Sequence, residues 1–232
     1  MFRRYAAIAL ATITITGGCT RSATGQRPTP AMISDVLLTV TDMPPGWEET
    51  QRQVFDQRGP ENPSIDPSVW CAESAMVTKN LVSLAGPAGA DVEMQMTSSP
   101  GRPRMMRLQG WANSDVRAYY ADAKEAAHIC DGTDVIDESG VRTTFELLAG
   151  RDLGDESISW VQKATPPEST QGDKFETLSR TTVARFGGIV MVLQLGDAAQ
   201  AGTTALLDED AWWAIVTSAG EKLASLDKRV HP

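Results

Sequence analysis

Polar and apolar positions alternate with a period of two along much of this chain and recur at helical spacing in two places. Asp91–Thr97 is a predicted strand, with Val92, Met94 and Met96 on one side and polar residues on the other. Arg104–Trp111 follows as a second strand, and Ser98–Pro103, with two prolines and a glycine, suits the hairpin loop between them. The clearest helix covers Ser114–Ala127 and ends at Cys130. Val116, Tyr119, Tyr120, Ala123, Ala126, Ala127 and Cys130 recur there at steps of three and four, Asn113 or Ser114 can cap its start, and Asp115 suits its N-terminal dipole.

The second half reads as antiparallel sheet. Val141–Leu148 and Ser157–Lys163 are predicted strands, the latter with Ile158, Trp160 and Gln162 on one face. Phe175–Phe186 and Ile189–Leu195 flank Gly187-Gly188, a two-residue spacing that suits a tight primed turn. The run around Val190, Val192 and Leu193 predicts a central strand buried on at least one side. A closing helix opens at Asp208-Glu209-Asp210 and runs to about Leu226, its acids first and Lys222 and Lys228 late, in agreement with the macrodipole. Nearer the N-terminus, a short helix at Met32–Thr39 stops before Pro44-Pro45-Gly46, and residues 56–68 read as a loop leading to Trp70-Cys71.

The first 18 residues have a different pattern. Arg3 and Arg4 precede an apolar and threonine run, Tyr5–Ile15, too short to span a bilayer, and Thr16-Gly17-Gly18 leads into Cys19. This layout resembles a bacterial lipoprotein signal, with Thr16 where an aliphatic residue is usual. It implies residues 1–18 as a signal peptide, acylation of Cys19, a flexible tether over 19–30 and one domain over 31–232. The net charge of −9 becomes −11 once Arg3 and Arg4 leave with the signal. That acidity argues against nucleic acid, whose affinity comes from neutralised phosphates, and against electrostatic adhesion to anionic lipid. Membrane attachment would therefore be through the covalent lipid on Cys19, and two or three acyl chains hold stably. With Cys19 acylated, Cys71 and Cys130 form an even pair in an oxidising compartment. A disulfide between them would close a loop of about 60 residues and contribute roughly 4 kcal/mol in the chain-entropy model.

The order of parts resembles the PknH-like extracellular sensor domain of actinobacterial receptor kinases and mycobacterial lipoproteins. The matching pieces are Trp70-Cys71, the helix ending at Cys130, the Leu153-Gly154-Asp155-Glu156 turn before a strand, and the Thr182–Gly188–Val192 hairpin before a C-terminal helix. The resemblance implies an α+β fold, a mostly antiparallel sheet with helices packed on one face, together with a groove suggested as a ligand site and no enzymatic activity. Sensor domains of this type carry two disulfides, and here only Cys71 and Cys130 are left to form one.

Candidate chemistry is sparse. A G-x-S-x-G elbow, a P-loop and a G-x-G-x-x-G fingerprint are all missing from the sequence, and no cofactor or metal is expected. His128 is the single interior histidine and reads as a partly exposed helix residue. Ser225-Leu226-Asp227-Lys228 has S-x-x-K spacing in the last helix without partner motifs, and the acids of Asp131–Glu138 lack the spacing of a calcium loop. The aromatics are the better lead: Trp111, Tyr119, Tyr120, Trp160, Trp212 and Trp213 either pack the core or wall a groove for a lipid, glycan or peptide. Adjacent on a helix, Trp212 and Trp213 point about 100° apart, so deep burial of both is not expected. The expectation is a non-enzymatic, lipid-anchored binding or sensor module outside the cytoplasmic membrane. The alternatives are a scaffolding lipoprotein docking an envelope protein through an exposed patch near Trp212 or Trp213, and, less favoured, an envelope hydrolase.

Overall fold

The computed structural model describes residues 28–55, 90–98, 104–112, 116–136, 140–167, 175–200 and 208–230. The signal, Cys19, most of the tether and Cys71 lie outside them, so lipidation and the Cys71–Cys130 bridge stay expectations. No helix among the described residues is long and apolar enough to cross a membrane.

Helix α1 spans Pro30–Val36, earlier than its apolar pattern suggests, because Thr29 caps it and Pro30 sits at its first turn, where a missing N–H costs nothing. A 3-10 turn at Val40–Asp42 follows. The strands are β1 (Trp47–Phe55), β2 (Ala90–Ser98), β3 (Arg104–Ala112), β4 (Asp134–Ile136), β5 (Arg142–Leu147), β6 (Glu156–Thr165), β7 (Phe175–Phe186) and β8 (Ile189–Gln200). Helix α2 (Val116–Cys130) lies between β3 and β4, and α3 (Glu209–Val230) closes the chain. All eight strands form one antiparallel sheet in the order β1-β2-β3-β8-β7-β6-β5-β4. Each predicted strand is present. The two that the polar pattern conceals, β1 and β4, are the outermost.

The helices pack on both faces of this sheet, not on one. Along β8, Ile189, Val190, Met191, Val192 and Leu193 are all buried, and successive strand residues point to opposite faces. Val190 and Val192 join Val183, Ile158, Trp160 and Phe145 under α2. Ile189, Met191, Leu193 and Leu195 join Ala184 and Phe186 under α1 and α3, together with Trp212, Ile215, Val216, Leu223 and Leu226. A continuous apolar run in a central strand needs cover on each side, and this is the physical reason the single-faced arrangement gives way to two layers of helix.

Side chains tie the N-terminal segment into this frame. Arg52 on β1 donates to the backbone oxygens of Ser34 (2.6 Å) and Leu38 (3.0 Å), at and just beyond the end of α1, and pairs with Glu49. The Lys222 ammonium on α3 binds the Asp42 carboxylate. Burial by itself would raise the Asp42 pKa, but the Lys222 bond and the Thr39 backbone and hydroxyl donors outweigh it and hold the carboxyl below its ordinary value.

The β7–β8 turn is held equally closely. Gly187 takes a φ of 56°, as the first central residue of a primed hairpin turn requires, and a Cβ there would lie 2.3 Å from an Asp227 carboxylate oxygen. That same carboxylate accepts from the Gly188 N–H at 3.2 Å. Ser225 donates its hydroxyl to the Lys222 carbonyl within the helix, a local bond that accounts for the residue without chemistry.

Candidate functional site

Helix α2 presents three kinds of position. Val116, Tyr120, Ala123, Ala126, Ala127 and Cys130 form its buried stripe, as the spacing predicts. Arg117, Ala121, Lys124 and His128 lie along one flank and are exposed, and beside that flank the end of β7 and the start of β6 bring up Arg185 and Glu156. Between them is an open groove of about 550 Å³, lined by Arg117, Tyr120, Ala121, Lys124, Glu125, His128, Glu156 and Arg185. The groove exists because the stripe is rich in alanine: a helix that seats close to the sheet along its centre leaves its flank open beside the strand ends.

Arg185 is the best-anchored group of the groove. It donates through Nε to Glu156 at 3.0 Å, and through Nη1 to Asp155 at 2.8 Å and to the Gly187 carbonyl at 3.1 Å. Asp155 in turn accepts from the Gly187 N–H at 2.8 Å, while its own N–H donates to the Arg185 carbonyl at 2.8 Å. This close approach depends on Gly154, whose φ of 66° and missing Cβ leave room for the Arg185 carbonyl; a Cβ would meet that oxygen at 2.3 Å. The Leu153–Glu156 turn is thereby locked onto the β7–β8 hairpin, and Glu156 and Arg185 enter the groove as a pair.

Tyr120 forms the floor and is only 2% exposed. Burial, followed by the nearby Glu156 charge, pushes its phenol up to about 12, with Arg185 opposing. It is therefore a neutral hydrogen-bond donor and acceptor at any physiological pH. Behind it, Phe145 and Trp160 stack with ring centroids 5.6 Å apart.

The predicted aromatic residues do not form one wall. Tyr120 reaches the groove, but Trp160 is fully buried beneath α2. Trp212 and Trp213 are on the opposite face of the sheet, 0% and 4% exposed. Burial of both corrects the expectation from their angular separation. Trp212 points at the sheet, with Arg180 5.9 Å from its ring centre. Trp213 is covered from the side by Arg151 at 5.0 Å, and its indole N–H donates to Glu209 at 3.3 Å. Cation–π cover lets a helix flank bury a second indole. Trp111 occupies a β3 position paired with Asp91 and Val190, and Tyr119 lies on α2; their side chains are outside the described residues.

Arg117, Lys124, Glu125, Glu156 and Arg185 carry the polar lining and were not singled out by sequence. One signal for them was present: Arg117, Lys124 and His128 are spaced i, i+7 and i+11, a single flank of the helix. Glu156 and Arg185 had none, being 29 residues apart and joined only by strand pairing. Among the described residues no group of three or more His, Cys, Asp or Glu is placed to hold a metal. Asp134, in the acid-rich segment, pairs with Arg142 across the β4–β5 hairpin, and Asp131 accepts from the Leu147 N–H at 2.9 Å.

No protein-family model matches the chain, and no curated protein matches it. Among solved structures it is similar to an uncharacterized protein of Mycobacterium smegmatis, the Rv0999 ortholog. That match has 10% identity, 88% of this chain, 97% of the other and a TM-score of 0.40. It is also similar to LpqN of Mycobacterium tuberculosis, described as involved in cell envelope biogenesis, at 15% identity, 80% of this chain, 95% of the other and a TM-score of 0.26. At such TM-scores neither likeness carries an argument.

Proposed function

We propose that this chain is a lipid-anchored, non-enzymatic binding module of the bacterial cell envelope, held on the outer face of the cytoplasmic membrane by acyl chains on Cys19. Its binding site is the groove along α2. The lipobox-like junction at Gly18-Cys19 supports the address, and the resemblance of the Trp70-Cys71 to C-terminal helix order to PknH-like sensor domains supports the binding role. A Cys71–Cys130 disulfide belongs to the same reading, and would fasten the end of α2 to the Trp70-Cys71 segment.

The observation that carries the reading is the groove itself. It is an open volume of about 550 Å³ whose floor is a buried phenol and whose charged wall is prepositioned by the Asp155–Arg185–Glu156 lock. Binding sites are concavities with a few well-held polar groups, and groups fixed before binding lose less freedom on binding. The docking alternative, through an exposed apolar patch, gains no support from Trp212 or Trp213, which are both buried.

The test is native mass spectrometry of the full lipidated chain taken from actinobacterial membranes in detergent. The expected result is an acylated chain carrying a further mass that denaturation releases, and that is missing from an Ala121→Trp variant, in which a large side chain fills the groove. A bare acylated chain would count against the binding role. A chain recovered chiefly unprocessed from cytoplasm, or one unchanged by Cys19→Ser, would overturn the envelope assignment.

A further inference from the structure

The two sides of the groove differ in what their charges are already doing. Glu156 and Arg185 are committed to each other, and Arg185 also to Asp155. Among the described residues, Arg117 and Lys124, on the α2 flank, make no hydrogen bond or ion pair. Glu125 is the one lining acid, among the described residues, without an ion pair. The uncommitted charge of the lining is therefore positive, in a chain whose net charge is −9.

Between these cations and the strand ends stands the Tyr120 phenol. Its side chain is almost wholly buried, its hydroxyl makes no hydrogen bond within the described residues, and it opens on the groove. Its raised pKa keeps the proton on that oxygen. One arginine fork, one ammonium and one neutral hydroxyl together meet the needs of an oxyanion with several acceptor atoms. The carboxylates of Glu125 and Glu156 on the same lining repel a polyanion but accept hydrogen bonds from neutral hydroxyl groups.

We infer that the groove takes a phosphorylated polyol, with the phosphate on Arg117, Lys124 and the Tyr120 hydroxyl and the polyol hydroxyls toward Glu156 and Glu125. This rests on the groove being the binding site proposed above. Two sources offer the same chemistry, a free polyol phosphate and the headgroup of a glycerophospholipid.

Isothermal titration of the full chain in neutral detergent separates them, with three probes: glycerol phosphate, glycerol and monomeric dihexanoyl phosphatidylglycerol. Glycerol phosphate is expected to bind at about millimolar strength or better and glycerol not at all. The double variant Arg117→Gln, Lys124→Gln should weaken that binding about tenfold or more, with an unchanged fold because both side chains are exposed. Tighter binding of dihexanoyl phosphatidylglycerol than of glycerol phosphate would assign the lipid headgroup, and equal or weaker binding the free polyol phosphate. Equal binding of glycerol and glycerol phosphate, undiminished binding by the double variant, or no binding of either phosphate probe would overturn the inference. In the last case, a native mass that Ala121→Trp abolishes would leave the groove as a binding site for a different ligand class. No such mass would remove both readings.

Discussion

The two faces of the sheet are packed differently. Under α3 the core is built from large side chains, with Trp212, Trp213, Leu223, Leu226 and Phe186 sealed against Met191, Leu193 and Leu195. Under α2 the helix contributes Ala123, Ala126 and Ala127 and, among the described side chains, one large aromatic, Tyr120, and the flank stays open. Large side chains fill the space between helix and sheet and leave no room for a ligand. Small ones bring the helix down on its centre line and leave space beside it. On this comparison α3 closes a solid core, and α2 leaves open the flank on which the proposed binding role rests.

The largest expected effect is on the α3 face. Trp212→Ala should destabilise the fold by about 3–5 kcal/mol in urea denaturation, through lost burial and the cavity left behind. Ala121→Trp, on the exposed α2 flank, should stay within about 0.5 kcal/mol of the parent while filling the groove. If the two variants proved equally destabilising, the division of labour between the faces would fail.

Next comes the joint between the faces. Gly154→Ala places a Cβ against the Arg185 carbonyl at a positive φ, so a loss of about 1–3 kcal/mol is expected in thermal or urea unfolding. Because Arg185 lines the groove, ligand binding should weaken in the same variant. A stability loss with binding intact would show that the turn supports the core alone.

The Asp42–Lys222 pair gives a smaller, pH-dependent effect. A folded pKa below the ordinary value means the contribution is present above the unfolded value of 3.8 and lost as pH falls through the folded one. Both partners are partly exposed, so at neutral pH Lys222→Met should cost no more than about 1 kcal/mol and should flatten the acid limb of a stability–pH profile. An unaltered acid limb would mean the pair is screened out.

Tyr120→Phe should change stability least, by less than about 0.5 kcal/mol, because the lost hydroxyl makes no hydrogen bond within the described residues, while binding in the groove weakens. In the parent chain, the phenolate absorbance of one tyrosine should appear only near pH 12. With a folded pKa above the unfolded 10.0, the contribution of Tyr120 to stability is intact below 10.0 and is lost as pH rises through about 12. Tyr119 and Tyr120, the two tyrosines that follow the signal, titrating together near their ordinary value would show that the groove floor is wetter than its burial implies.

The strands that escaped the sequence reading are the two edges of the sheet, β1 and β4. β1 is Trp-Glu-Glu-Thr-Gln-Arg-Gln-Val-Phe, and β4 lies in the acid-rich Asp131–Glu138 segment that reads as a solvated loop. An edge strand pairs on one side only and carries polar residues that discourage pairing with other chains, so its apolar alternation is diluted. β1 also contains a register shift between Glu49 and Gln51, which breaks whatever period remains. Interior strands are under the opposite constraint: β7 and β8 read clearly because both faces are buried over Thr181–Phe186 and Ile189–Leu193.

What this sequence determines alone is what a few neighbouring residues decide: the period-two runs of β2, β3 and β5–β8, the stripe of α2, the charge order of α3 and the turn at Gly187-Gly188. These are local because side-chain direction follows from backbone geometry within one element. The tertiary structure decided which face each helix covers, that Trp212 and Trp213 could both be buried, and that Glu156 and Arg185 would stand beside Arg117 and Lys124. Alternation shows that two faces exist but not what packs on either, and an isolated charge at a strand end has no periodicity to announce its partner. Pairing across 29 residues of chain, and a helix docked over it, supplied that neighbour.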